Sequence, residues 1–357
     1  MTGLPAREPE AQLAAFLARL QVRVADYLGP RHDSPEQMDH LRHVANRARW
    51  LYCSELVRVT PNSPPALALH EDRLIEACAL GHDIGKWIPR DDLRALLPDQ
   101  EAALLPILRE LRLLPNQTEL LRLGIQRRLA LPTDTYSPEY DAAHHLVSAF
   151  IMVTDHGLEF HQLALRDQER LIGAIIGHQF GSYYKERLFQ ISLRDRAVTT
   201  GMLVDVSRPE LMGGDLLAHA FHDADIADLL YVGSLEHRPN REDYLHAGGL
   251  VKILLINFMT TVYAVQDAPH TYEDSLRSCQ MTVTSVGREF ITNTAIEHGR
   301  IWRAEANRFL DTLRRPETAE RFQSILADES RPPTERLQAA RLLAHLHARR
   351  FLIDPPP

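Results

Sequence analysis

Apolar residues recur every three or four positions through most of the chain, the period of a helix with one buried face, and no string of alternating strands appears. Leu13, Leu17, Leu20, Val24 and Leu28 share a face, so the spacing predicts a helix over 10–28. Gly29-Pro30 breaks it. Ser34-Pro35-Glu36-Gln37 then reads as a capping box with Pro at the first helical position, opening a helix to about Val57. A loop at Pro61-Asn62-Ser63-Pro64-Pro65 precedes a helix over about 71–81. From 96 to 140, Pro98, Pro106, Pro115, Pro132 and Pro138 predict short, broken helices. Helices follow at about 141–155 and 168–178. Residues 180–208 are the least helical, with 199–206 a short strand or a lid loop. Helical patterns return at 211–230 and 243–265. After Ala268-Pro269 they continue to about Leu346, with apolar faces at Leu310, Leu313, Phe322, Ile325, Leu337, Leu342 and Leu346. The fold class is all-α. It comprises an N-terminal helix in 1–33, a core domain over 34–265 and a C-terminal helical extension over 266–357, with no repeat or sustained heptad.

Composition narrows the class. A chain of 357 residues suggests two domains, or one core with additions. Its 45% hydrophobic and 25% charged residues are those of an ordinary soluble globular protein, not a disordered, collagen-like or disulfide-built one. The net charge of −8 and pI of about 6.1 disfavour general nucleic-acid binding, which calls for a basic face. A small anionic substrate stays open, since a metal or a local basic pocket can supply positive charge. Among 40 Lys and Arg, only Lys86, Lys185 and Lys252 are lysines, while His reaches 18. That imbalance invites a search for metal ligands, although most of these His are expected to be surface or satisfied core residues. Cys53, Cys78 and Cys279 form no CxxC pair, and the opening MTGLPAREPEAQ is polar and acidic. Both fit a cytoplasmic protein with neither a disulfide framework nor a signal peptide. The longest apolar stretch, 248–265, contains Lys252 and Asn257 and reads as a buried helix rather than a membrane span.

The most informative segment is Gly81-His82-Asp83-Ile84-Gly85-Lys86. An imidazole and a carboxylate adjacent at a helix end can reach one divalent ion, and the second carboxylate oxygen can bridge to another. Alone the dipeptide is weak; other candidates on helices give it force. In Asp39-His40-Leu41-Arg42-His43, a helical wheel at ~100° per residue sets His40 at the edge of the Leu41, Val44, Ala45, Ala48 and Leu51 face. His43 falls on the side with Asn46 and Trp50, as a surface residue or a support to a ligand. His144 sits beside Val147 and Ile151, with Ser148 one turn on, and His145 points away. His178 shares the face of Leu171, Ala174 and Ile175 and ends its helix. Asp225 shares a face with Phe221 and Leu229, and a carboxylate on an apolar face needs a partner. Asp228 either orients a ligating His or, like Asp223, belongs to a solvated face.

The order His40, His82-Asp83, His144, His178, Asp225 resembles the HD-domain metal-dependent phosphohydrolase superfamily over about residues 36–235. His82-Asp83 with Lys86, and Asp225 within Asp223-Ala224-Asp225, are the most specific parts of the likeness. The resemblance implies a helical bundle in which His40, His82, Asp83 and Asp225 hold one ion. In the binuclear branch Asp83 would bridge to a second, held by His144 and His178. The chain departs in spacing, with a Pro-rich loop between His40 and His82 and Pro-broken segments between Lys86 and His144. No Gly-Tyr-Pro signature follows, which sets aside cyclic-dinucleotide hydrolases of that subclass.

Four His and two carboxylates suit two divalent ions, with Mn²⁺ or Fe²⁺ favoured and Mg²⁺, Ni²⁺ or Zn²⁺ also compatible. Ions so held clamp phosphate oxygens and acidify a water toward hydroxide. The implied reaction is hydrolysis of a phosphoester or phosphoanhydride, with Asp83 and Lys86 in the catalytic machinery. Lys86 would neutralise the phosphate. Lys185, Arg187, Arg238 and Arg241 are further substrate-binding candidates, equally explained as exposed cations, and Tyr183 or Tyr184 could stack on a base. A nucleotide substrate follows from the resemblance alone. No membrane partner is expected, and a homo-oligomer is compatible. Two alternatives stay open: an HD-type di-iron oxygenase, and a regulatory module that binds metal or nucleotide without turnover.

Overall fold

The computed structural model describes residues 8–29, 34–59, 67–97, 111, 113, 115–131, 138–178, 215–238, 241–263, 271–286 and 290–351, with the side chains at 8, 34–36, 115–116, 138–139, 141–142 and 234–247 left out. Among the described residues the chain is helical apart from one hairpin. The elements are α1 (Glu8–Leu28), α2 (Ser34–Val59), α3 (Leu69–Gly81), α4 (Ile84–Trp87), α5 (Arg90–Ala95), α6 (Pro115–Ala130), α7 (Pro138–Thr154), α8 (Leu165–Gly177), α9 (Leu216–Asp228), β1 (Gly233–Arg238), β2 (Arg241–Ala247), α10 (Gly249–Val262), α11 (Tyr272–Val286), α12 (Asn293–Leu313), α13 (Pro316–Ala327) and α14 (Pro333–Ala348). None of these helices is long and apolar enough to cross a membrane.

Contacts divide the chain into Met1–Ala224 and Asp225–Pro357, a boundary that falls inside α9. The segment expected to be a C-terminal extension from 266 therefore shares a unit with α10. In unit 1, α1 buries Leu13, Phe16, Leu17, Leu20, Val24 and Leu28 and packs on α3 and α4. Its outer side is tied to the short 3-10 turns after α7 by Arg23 with Asp155 (2.6 Å) and Arg19 with Glu159 (2.9 Å). Helices α2, α3, α8, α7 and α6 pack in that succession, with α4 laid on α7. The expected broken helices before 140 include one of 16 residues, α6. Pro115 opens it and Pro138 opens α7, positions where a missing N–H costs nothing. Pro98, Pro106 and Pro132, the 61–65 loop and all of 180–208 lie outside the described residues.

In unit 2, β1 pairs antiparallel with β2 in the register Gly233↔Ala247, Leu235↔Leu245 and Arg238↔Arg241. The helix expected from 243 thus begins only at Gly249. Two glycines set that start: a Cβ on Gly248 would lie 2.1 Å from the Tyr231 carbonyl oxygen, and one on Gly249 2.6 Å from that of Asp228. No other residue lets the chain pass so close. Helix α10 packs on α11, α13 and α14, and the rings of Phe258, Tyr272 and Phe322 meet at 5.4–5.8 Å. On α14 the buried residues are Ala340, Leu343, Ala344 and Ala348. Leu342 and Leu346, expected inside, face out, because the α14 stripe runs one residue out of phase with them.

Candidate metal centre

Helices α3 and α8 end alike, in Gly81-His82 and Gly177-His178, with each His as the C-cap in αR conformation. There each ring folds back on its own last turn. His82 Nδ1 lies 2.8 Å from the Ala79 carbonyl oxygen and His178 Nδ1 2.6 Å from that of Ile175. A carbonyl oxygen only accepts, so each Nδ1 donates the proton and each Nε2 keeps its lone pair in the neutral ring. Gly81 lets α3 approach its neighbours closely: a Cβ there would meet Ile175 Cδ1 at 3.2 Å and Met152 Sδ at 3.3 Å.

The chain then turns through Asp83 into α4, and α7 grips that turn. The Ser148 hydroxyl donates to the His82 carbonyl at 2.6 Å and accepts from the Gly85 N–H at 3.0 Å. Tyr140, with the Arg128 guanidinium over its ring, donates its hydroxyl to the Gly85 carbonyl. Gly85 follows the His-Asp pair by two residues. It lies within α4, and its role is contact: a Cβ would fall 2.5 Å from the His144 carbonyl oxygen and 2.8 Å from the Ser148 nitrogen.

These supports converge the donor atoms on one carboxylate. His144 Nε2 is 3.2 Å from Asp83 Oδ1 and 3.3 Å from His178 Nε2. His82 Nε2 is 3.5 Å from the same oxygen, and His40 Nε2 is 3.8 Å from Asp83 Oδ2. Donor atoms of His82, Asp83 and His178 all lie within 4.8 Å of one another. His82, Asp83, His144 and His178 are buried, while the side chains of His40 and Lys86 are 12% and 35% exposed, marking the side open to solvent. Lys86 Nζ reaches both Asp83 oxygens, at 2.8 and 2.9 Å. Burial works to raise the Asp83 carboxyl, but His82, Lys86 and His144 outweigh it and hold it well below the usual carboxylate range. The group is therefore ionised.

The donor set fits a divalent cation. Two donors about 2.1 Å from one ion, at angles of about 90–110°, lie about 3.0–3.4 Å apart, close to the separations His144 makes. Imidazole nitrogens with one carboxylate suit borderline first-row metals. A thiolate role fails, since Cys78 is buried and its burial pushes the thiol pKa up.

The remaining candidates divide. His43 is buried, which excludes the surface alternative for it. His145 is buried too, its ring 6.0 Å from that of His144 and 6.1 Å from that of His178. The Phe221 ring of α9 meets those of His82 at 5.4 Å and His178 at 6.2 Å. Asp225 stands one turn further along α9, half-buried, as the first residue of the second unit. Asp223 and Asp228 are buried, so the solvated-face alternative fails for both, and Asp223 Oδ1 pairs with His222 Nδ1 at 2.9 Å. Arg238 and Arg241 face each other in the backbone register at the hairpin's end, with their side chains outside the described set. Lys185 and Arg187, with Tyr183 and Tyr184, lie outside the described residues. Sequence reasoning missed the close contact at Gly85, the support from Tyr140 and the pairing of His222 with Asp223. The repeated Gly-His was a signal in plain view. No protein-family model, curated protein or solved structure matches the chain.

Proposed function

We propose that the chain is a metal-dependent phosphohydrolase, cleaving a phosphoester or phosphoanhydride of a nucleotide or small phosphorylated metabolite. One observation carries the reading. Two imidazoles pinned by backbone carbonyls, His82 and His178, gather with His144 around a single ionised carboxylate, Asp83. Lys86 offsets part of that buried charge, and a cation shared with the imidazoles would offset the rest. His82, Asp83, His144 and His178 would hold the ion, with His40 at the solvent side. Asp225 is the further carboxylate that the resemblance to the superfamily implies. Asp83 turns Oδ1 toward His144 and Oδ2 toward His40, and would be the residue shared between two ions where two are bound. Bound divalent ions, Mn²⁺ or Fe²⁺ by preference, supply Lewis acidity toward phosphate oxygens and acidify water. Lys86, anchored on Asp83 and partly exposed, would offset the phosphate charge. His82 and His178 cannot act as acids through Nδ1, which the carbonyls hold, so their part is to ligate and orient.

The test is metal analysis joined to a phosphoester and nucleotide panel under anaerobic conditions. The expected result is bound divalent metal and phosphate release in the wild type, with both abolished in Asp83→Ala. A wild type that takes up no divalent ion would sink the reading. Turnover that needs oxygen and releases no phosphate would move the chain to the oxygenases.

A further inference from the structure

A second charged cluster lies away from the candidate centre, at the other end of the same helices. The Arg170 guanidinium of α8 donates to both Glu71 oxygens, at 2.8 and 2.7 Å, and to both Asp215 oxygens, at 2.8 and 3.3 Å. Glu71 belongs to the first turn of α3, and the Tyr52 hydroxyl of α2 also donates to it at 3.3 Å. Asp215 caps α9, accepting from the Leu217 N–H at 3.1 Å. Arg170 is well covered, with 13% of its side chain exposed. One planar fork thus fixes the starts of α3 and α9 against the middle of α8, a geometry that a point charge cannot reproduce.

The same three helices connect the cluster to the candidate centre. From Glu71 to His82 is ~16 Å along α3, from Arg170 to His178 ~12 Å along α8, and from Asp215 to Phe221 ~9 Å along α9. The far ends meet again, since the His82 ring lies 4.9 Å from that of His178 and 5.4 Å from that of Phe221. All three helices therefore run in the same direction from the Arg170 cluster to the candidate centre. A slip of α8 by one residue moves it ~1.5 Å and turns His178 by ~100°, out of reach of His144 and His82.

We propose that Arg170 is a positioning residue for the candidate metal centre: by clamping Glu71 and Asp215 it sets the axial register that brings His178 to His82, Asp83 and His144. The inference rests on the metal-centre reading above.

The test strips the full-length protein of metal and titrates it with Co²⁺, following visible absorption as a report of ligand geometry and thermal melting by circular dichroism. Arg170→Lys keeps the charge and loses the fork, and Arg170→Gln loses both. The expected result is Co²⁺ affinity at least tenfold weaker with altered absorption bands, while the helical signal is kept. Glu71→Gln preserves shape and one acceptor, and gives the same direction of change even where Arg170→Gln does not fold. Wild-type affinity and bands in the folded variants, with only a lower melting temperature, would overturn the positioning role and leave the centre standing. A wild type that takes up no Co²⁺ overturns the centre and the positioning role together.

Discussion

The two units bury different chemistry. Among the described residues, unit 1 buries Asp39, His43, Arg47, Glu55, His82, Asp83, Arg128, His144, His145, Asp155, Asp167, His178, His222 and Asp223. Unit 2, past Asp228 at the end of α9, buries only neutral polar side chains: Asn257, Ser275, Thr282, Thr292, Thr294, Thr312 and Thr318. Several of these are satisfied within their own helices, as Thr282 Oγ1 donating to the Ser278 carbonyl at 3.2 Å and Thr312 Oγ1 to that of Arg308 at 3.0 Å. Such groups cost little. A buried ion is different, with a penalty of several kcal/mol that packing alone does not return. Unit 2 reads as a core built for stability around Phe258, Tyr272 and Phe322. Unit 1 carries a burden of buried charge that stability does not explain, part of it where α3, α7 and α8 converge.

The largest expected effect tests the unit 2 side. Phe322 is fully buried and meets both Phe258 and Tyr272. Phe322→Ala should cost ~3–5 kcal/mol of stability in urea titration. The folded fraction should still take up Co²⁺ like the wild type. Lost Co²⁺ binding in protein that remains folded would break the separation of a stabilising core from a ligand-bearing one.

A smaller effect sharpens the unit 1 side through two glycines. Gly85 has no room for a Cβ against the His144 and Ser148 backbone, whereas a Cβ on Gly173, inside α8, would meet nothing within 4 Å. Gly85→Ala should lower stability by ~1–3 kcal/mol and disturb Co²⁺ uptake, because the turn carrying Asp83 must move off α7. Gly173→Ala should raise stability by ~0.5–1 kcal/mol by removing backbone freedom from the unfolded chain, with Co²⁺ uptake unchanged. Equal behaviour of the two would show that the close approach at Gly85 is not what holds the turn.

Helical periodicity was legible because it is local. Glu8–Leu28, Leu69–Gly81 and Leu165–Gly177 fall close to where their apolar spacing puts them. The hairpin was not, because β1 and β2 are defined by pairing with each other, and the glycines that stop α10 from starting earlier act through contact with Asp228 and Tyr231. The same divide runs through the candidate centre. The faces of His40, His144 and His178 could be read from single helices. The wheel left His43 and His145 outside, and both are buried, because a helix packed on several neighbours covers more than its apolar stripe. The support from Ser148, Tyr140 and Arg170 joins residues far apart in sequence, and no spacing rule reveals it.

The smallest expected effect contrasts histidines. In unit 1, carbonyls fix the tautomers of His82 and His178. In unit 2, His345 on α14 is pushed down to about 4 by burial, with Arg341 and Arg349 adding repulsion, so it is kept uncharged rather than recruited. Its ordinary value is 6.5. Between that pH and about 4 the unfolded chain binds a proton that the folded chain does not, so stability falls as the pH falls through this window and levels off below it. Glu71 in unit 1 runs later: its carboxyl is lowered from 4.5 by Arg170, against the opposing effect of burial, so its contribution is full above that pH and is lost only below it. His345→Gln removes the titrating group at similar size. Melting temperatures taken from pH 7 to 4.5 should therefore fall less steeply in His345→Gln than in the wild type, with His347, also lowered by burial, keeping part of the slope. Parallel profiles would mean that His345 accepts its proton in the folded protein.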